Sequence, residues 1–151
     1  MRRVVVTGIG LVTPLGCGVD VVWRRLIEGQ SGIRRIDRFP VDDLPAKIGG
    51  LVPTEGEGAF RIDEVVAPKD ARKNDLFIIY GLAAAIDAVR DAGWQPEDEA
   101  ARTRTGVLIG SGIGGLSTIA DTAIELERRG PRRVSPFFIP ASLINLVSGQ
   151  V

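Results

Sequence analysis

The chain has 151 residues, 44% of them hydrophobic, which is enough for a soluble domain with a sizeable core. Its 19 basic and 19 acidic residues balance, so no net field draws it to nucleic acid or to a membrane surface. The single cysteine, Cys17, excludes an internal disulfide, and the absence of histidine leaves no imidazole to activate a nucleophile.

Only Met1, Arg2 and Arg3 precede the first apolar run, and no small-residue cleavage site follows it, the pattern of a cytoplasmic chain. Val4-Val5-Val6, leading into Thr7-Gly8-Ile9-Gly10, predicts a strand covered on both faces, the first strand of an α/β sheet. After the turn Gly16-Cys17-Gly18, the residues Val19, Val22, Trp23, Leu26 and Ile27 recur at helical spacing, with Gly29 as the C-terminal cap.

From Ser31 to Ala67 the pattern loosens around Pro40, Pro45, Pro53 and Gly56 to Gly58, and only Lys47 to Val52 predicts a short strand. A helix is then predicted from about Asp70 to Asp91, ended by Gly93 and apolar nearly all round, hence covered on several sides. Its uncharged stretch, Leu76 to Ile86, is far short of the ~20 residues that span a membrane.

Gly106-Val107-Leu108-Ile109 is the second clear strand. It passes through Gly110-Ser111-Gly112-Ile113-Gly114-Gly115 into a helix with Leu116, Ile119, Ala120, Ala123 and Ile124 on one face, stopped by Gly130-Pro131. Ser135-Pro136-Phe137-Phe138-Ile139-Pro140 sets an aromatic pair between prolines, in a segment expected to be neither helix nor strand. Leu143, Ile144, Val147 and Val151 open a final helix that receives no C-cap. Two firm strands and one weak one make a poor independent sheet, so the expectation is part of a larger α/β fold.

Four features bear on chemistry. Gly110, Gly112 and Gly115 fit G-x-G-x-x-G between a strand and a helix, either as a dinucleotide-binding turn or as glycines chosen for close packing. The first reading lacks the acidic residue expected about 20 positions on, where Gly130-Pro131-Arg132-Arg133 stands instead. Cys17 is a nucleophile or a structural turn cysteine, and without a histidine the structural reading is preferred. Lys69, Arg72 and Lys73 project from adjacent faces near the start of the long helix, and Arg132 and Arg133 form a second basic pair after Arg128 and Arg129; these are solvated surfaces or a docking site for an acidic partner. Phe137 and Phe138 are core residues or the wall of an interface or ligand pocket.

Several blocks carry a resemblance over the whole chain. They are Arg2-Arg3-Val4-Val5-Val6-Thr7-Gly8-Ile9-Gly10, Thr13-Pro14-Leu15-Gly16, Trp23, Gly29-Gln30-Ser31-Gly32-Ile33, Arg72-Lys73-Asn74-Asp75-Leu76-Phe77-Ile78-Ile79-Tyr80-Gly81, Gly110 to Gly115, and Gly130-Pro131-Arg132-Arg133-Val134-Ser135-Pro136-Phe137-Phe138-Ile139-Pro140. In register, these resemble the opening of the β-ketoacyl-[acyl carrier protein] synthases, with the elongating subgroup of bacterial fatty acid synthesis the nearest in pattern.

The resemblance implies part of the first half of a thiolase-like fold, a mixed sheet between helices, incomplete in this chain, with residues 1–151 as an N-terminal domain cut before the catalytic cysteine. It implies a homodimer that takes acyl chains from acyl carrier protein and condenses them with malonyl carrier protein, using no cofactor and no metal. The family's cysteine, histidines and lysine lie farther on, so no catalytic residue is expected here and the polypeptide alone is expected to be inactive. Ile113 matches the bottom of the acyl pocket, and Phe138 and Ile139 match the segment lining the partner's pocket across the dimer. Lys69, Arg72, Lys73, Arg132 and Arg133 match positions that dock the acidic carrier. A non-catalytic relative of the chain-length-factor type, binding carrier protein or pairing with an active subunit, is the alternative.

Overall fold

In the computed structural model, residues 3–151 are described; Met1 and Arg2, the latter part of the first matching block, lie outside the described residues. The chain forms two compact units, one running up to Arg61 and including Asp87–Gly93, the other comprising Ile62–Ile86 and Trp94–Val151.

In the first unit, β1 (Val12–Thr13) and β2 (Gly16–Cys17) form a tight antiparallel hairpin across Pro14-Leu15. The Thr13 hydroxyl sets its register, donating to the Gly16 carbonyl and accepting from the Leu15 N–H, each at 3.1 Å. Helix α1 (Val19–Ile27) ends as expected at Gly29, whose φ of 69° lets its N–H reach the Leu26 carbonyl while the Gln30 N–H reaches that of Arg25. The weak strand predicted at Lys47 to Val52 is β4 (Ile48–Gly50), paired antiparallel with β3 (Ile33–Arg35), so that Arg34 faces Gly49. Val22, Val41, Val52 and Phe60 are the buried apolar residues of this unit.

The predicted first strand differs. Val4 to Val6 run without strand pairing, and Val4 is 95% exposed. A strand is stabilised by a neighbour that takes up its N–H and C=O groups, and among the described residues none pairs with this segment. The chain that follows is fixed instead to the last turn of α3 (Leu76–Ala92): the Ile9 N–H donates to Asp91 Oδ2 at 2.8 Å, and a Cβ on Gly8 would lie 2.2 Å from the Ala88 carbonyl oxygen.

In the second unit the long predicted helix is two helices. A short α2 (Pro68–Ala71) is followed by a break at Arg72 to Asn74, and α3 begins at Leu76 under the carboxylate of Asp75, whose Oδ1 accepts from the Phe77 N–H at 3.4 Å. Helix α3 buries one face, Ile78, Ile79, Leu82 and Ala83, rather than several; Ile86 and Val89 stay exposed. The core of this unit joins Ile78 and Leu82 to Val147, with Val65, Val66, Phe77, Ile109 and Leu146 packed around them.

Among the described residues the second predicted strand also lacks a pairing partner: Gly106 to Ile109 has no strand assignment, Leu108 is 98% exposed, and only Ile109 reaches the core. Helix α4 (Glu99–Thr103) precedes it, capped by Asp98 Oδ1 on the Ala101 N–H at 2.8 Å. Helix α5 (Leu116–Arg129) follows the glycine-rich turn and stops at Gly130-Pro131, as expected. Its apolar stripe, however, is half open, with Leu116, Ile119 and Ile124 exposed.

The last segment is more helical than its prolines suggest. A turn at Pro131–Arg133 leads to α6 (Phe138–Ser142), which packs along α5, and then to α7 (Leu146–Gln150), which starts later than Leu143. Pro140 is accommodated because it is the third residue of α6, where a backbone N–H has no partner within the helix.

Candidate functional site

Every residue predicted to line an acyl pocket or to dock a partner falls in the second unit. The glycine-rich turn is its centre. Gly114 has a φ of 75°, and a Cβ there would stand 2.7 Å from the Ser142 carbonyl oxygen; one on Gly115 would stand 2.7 Å from that of Ala141. These two glycines therefore let α5 begin directly against the end of α6. No described atom lies within 4 Å of where a Cβ on Gly110 or Gly112 would stand.

Three of the N–H groups that a pyrophosphate would draw on are already used. Gly114 N–H donates to Ser111 Oγ at 3.0 Å, Gly115 N–H to the Ser142 carbonyl at 3.1 Å, and Thr118 N–H to Asp75 Oδ2 at 2.9 Å. The Thr118 hydroxyl donates to the same Oδ2 at 2.7 Å. This start of α5 is a packed and capped helix end, the opposite of an open anion site.

Ile113, at the tip of that turn, is 66% exposed. Phe138 is half-buried in the first turn of α6, and Ile139 beside it is exposed. Ile113 and Ile139 thus present exposed apolar surface, while Phe138 is partly covered.

Of the basic residues, Lys69 and Arg72 are exposed on and just after α2, and Lys73 is drawn inward. Lys73 Nζ pairs with Asp70 Oδ1 at 2.7 Å and lies 5.5 Å from the centre of the Phe137 ring, a cation–π contact. That ammonium holds the Asp70 carboxyl below its usual range. The contact brings one end of the first basic stretch onto the segment that follows the second. Arg132 and Arg133 are exposed in the turn before α6, and Arg133 lines an open groove of about 310 Å³ with Asp121 and Glu125. Arg129 is engaged with Glu125 at 2.7 Å along α5.

Cys17, in the first unit, is half-buried in β2, with its N–H on the Gly58 carbonyl at 2.8 Å. Burial first, and the Asp87 carboxylate second, push its thiol above the ordinary range. An activated cysteine needs the reverse, so the geometry favours the structural reading.

Comparison with known proteins places this arrangement. The family model for the β-ketoacyl synthase N-terminal domain matches residues 1–151, the full sequence given. The chain belongs to the β-ketoacyl synthase family. It is 54% identical over 153 residues to the 3-oxoacyl-[acyl-carrier-protein] synthase 2 of Rhizobium meliloti, with 100% of this chain and 36% of that protein covered. Among solved structures, a β-ketoacyl synthase from Burkholderia phymatum superposes with a TM-score of 0.76 at 25% identity, covering 100% of this chain and 36% of that one. The ishigamide ketosynthase/chain length factor superposes with a TM-score of 0.77 at 26% identity, covering 99% and 36%.

The β-ketoacyl synthase chain thus spans about a third of the length of the relatives it matches, and its α/β architecture is part of the first half of a thiolase-like fold. One residue of consequence was legible in the sequence only as part of a matching block. Asp75 is the one buried polar side chain among the described residues, and its place before the apolar run from Leu76 is that of a helix N-cap.

Proposed function

We propose that this chain is the N-terminal part of an elongating β-ketoacyl-[acyl carrier protein] synthase of fatty acid biosynthesis. The observation that carries the reading is the 54% identity, across the whole chain, to a 3-oxoacyl-[acyl-carrier-protein] synthase 2. In the complete enzyme an acyl chain passes from the thiol of its carrier to an active-site cysteine thiolate, freeing the carrier thiol. Loss of CO2 from malonyl carrier protein then leaves a carbanion that attacks the acyl thioester and expels the cysteine. This chain supplies none of those reacting groups.

Its share is the acyl-pocket wall and the carrier-facing surface. Ile113 forms the floor of the pocket, and Phe138 and Ile139 extend toward the pocket of a second subunit in a homodimer; the exposed apolar surface of Ile113 and Ile139 supports this. Lys69, Arg72 and Lys73, with Arg132 and Arg133, offer positive charge to an acidic acyl carrier protein, which steers encounter more than it adds affinity. We place the enzyme in the cytoplasm, consistent with a lone unpaired cysteine. Among the described residues no helix is long and apolar enough to cross a membrane.

The likeness to the ketosynthase/chain length factor supports a second reading, a non-catalytic partner subunit that shares this part of the fold. Identity of 26% there against 54% to the synthase favours the enzyme. A chimera in which this chain replaces the matching third of the Rhizobium meliloti synthase tests the choice. Condensation of acyl and malonyl carrier protein by the folded chimera is the expected result; a folded dimeric chimera without condensation would overturn it.

A further inference from the structure

We propose that Asp75 is a positioning residue for acyl-length selection: by tying the start of α5 to the start of α3, it fixes where Ile113 stands. This rests on the proposed acyl-pocket role of Ile113 and adds to it a residue that touches no substrate.

The turn from Gly110 to Gly115 is poorly able to hold itself. Four of its six residues are glycine, the side chain of Ile113 is largely exposed, and Gly115, at the N-cap of α5, has no side chain with which to cap the helix. The missing cap comes from a residue 43 positions away. Asp75 Oδ2 takes both the N–H and the hydroxyl of Thr118, the third residue of α5, at 2.9 and 2.7 Å, while Oδ1 accepts from the Phe77 N–H. One carboxylate therefore serves the N-termini of two helices, where both helix dipoles favour it.

Burial makes the tether stiff. Asp75 is 8% exposed, and a Cβ on Gly115 would lie only 3.2 Å from its own Cβ, so the acid is wedged under the turn. On the far side, the Gly115 N–H is held by Ser142. Ile113 is two residues from this double anchorage. A pocket floor discriminates between acyl chains only if it cannot retreat from the longer one, because rejecting one extra methylene is worth only about 10–200-fold even in a well-formed apolar pocket.

The test uses the chimera with Asp75→Asn, in which one of the two acceptor oxygens becomes an amide donor, and with Thr118→Val, which removes only the hydroxyl and guards against a misfolded first variant. Thr118→Ser, which keeps hydroxyl and N–H, is the conservative control. The readout is the ratio of kcat/KM for two acyl primers, the shorter one accepted and the longer one rejected, together with hydrogen exchange at the Gly115 and Thr118 amides. We expect the ratio to fall about tenfold in Asp75→Asn, less in Thr118→Val and not at all in Thr118→Ser, with faster exchange at both amides wherever the ratio falls. A ratio unchanged in folded Asp75→Asn and Thr118→Val overturns the proposal, even if both melt at lower temperature, because a merely structural residue would leave selection alone. An unsubstituted chimera that does not condense overturns the underlying function instead, and the two failures are told apart by that control.

Discussion

Cys17 shows how a side chain's surroundings decide between chemistry and structure. Its thiol sits half-buried in a hairpin strand near a carboxylate, and both influences raise its pKa. A raised pKa leaves less thiolate at any given pH, so the sign runs against nucleophilic reactivity near neutrality. Alkylation of the folded chimera by iodoacetamide at pH 8 should therefore be several-fold slower at Cys17 than in the denatured protein, and should accelerate only above the ordinary thiol range. Fast labelling in the native state would contradict this.

Gly81 poses a second residue-scale question. An alanine in a helix interior is ordinarily better than glycine by ~1 kcal/mol. Here a Cβ would stand 2.4 Å from Cγ2 of Val147, a core residue that is almost fully buried, so the overlap wins. Overpacking of this kind costs about 1–3 kcal/mol. Gly81→Ala should lower stability in chemical denaturation, and Gly81→Ala combined with Val147→Ala should recover part of the overlap cost. Stabilisation by the single change would refute the packing argument.

At the scale of the element, what could be read from sequence follows the range of the forces that form it. Helices α1 and α5 and their glycine ends were legible because spacing and capping are local. The strand β4 at Ile48–Gly50 was legible, from its short apolar run, whereas its partner β3 was not. The segments at Val4 and Gly106 read as strands because β-branched runs do, but a strand also requires hydrogen-bonding neighbours, and none of the described residues provides them.

The break before α3 was missed for a different reason. Lys69 to Asp75 continues the helical spacing, and only the capping carboxylate of Asp75 marks the true start. Helix α6 was hidden by its prolines, although Pro140 falls where a helix tolerates one. Helix α4 carried a usable sign, Asp98 before Glu99 and two alanines, the pattern of an N-cap with an acidic first turn. The sequence names candidate residues but not their arrangement: only the fold puts the Lys73 ammonium over Phe137 and Asp75 under Thr118.

For the whole molecule, the division of labour is the main consequence. The chain's charges are balanced overall, so the carrier docking proposed above would rest on local groups, and Lys69 and Arg72 are exposed without the hydrogen-bonded ion pair that ties Lys73 to Asp70. Reversing both, Lys69→Glu with Arg72→Glu, should weaken binding of acyl carrier protein to the chimera by about tenfold at low salt, with less difference at high salt. Turnover of a small acyl thioester without carrier should be unchanged. An equal loss with both substrates would move these residues from docking to fold support.

The central claim is that this chain shapes the pocket and docking surface while the nucleophile lies in the part of the enzyme it does not include. The measurement that reaches it most directly is to incubate the chimera, and separately the chain alone, with acyl carrier protein charged with a labelled acyl group, and to map the label by peptide mass spectrometry. We predict label on a cysteine within the segment contributed by the Rhizobium meliloti synthase, and none on this chain in either sample. Acylation of Cys17 would contradict the account.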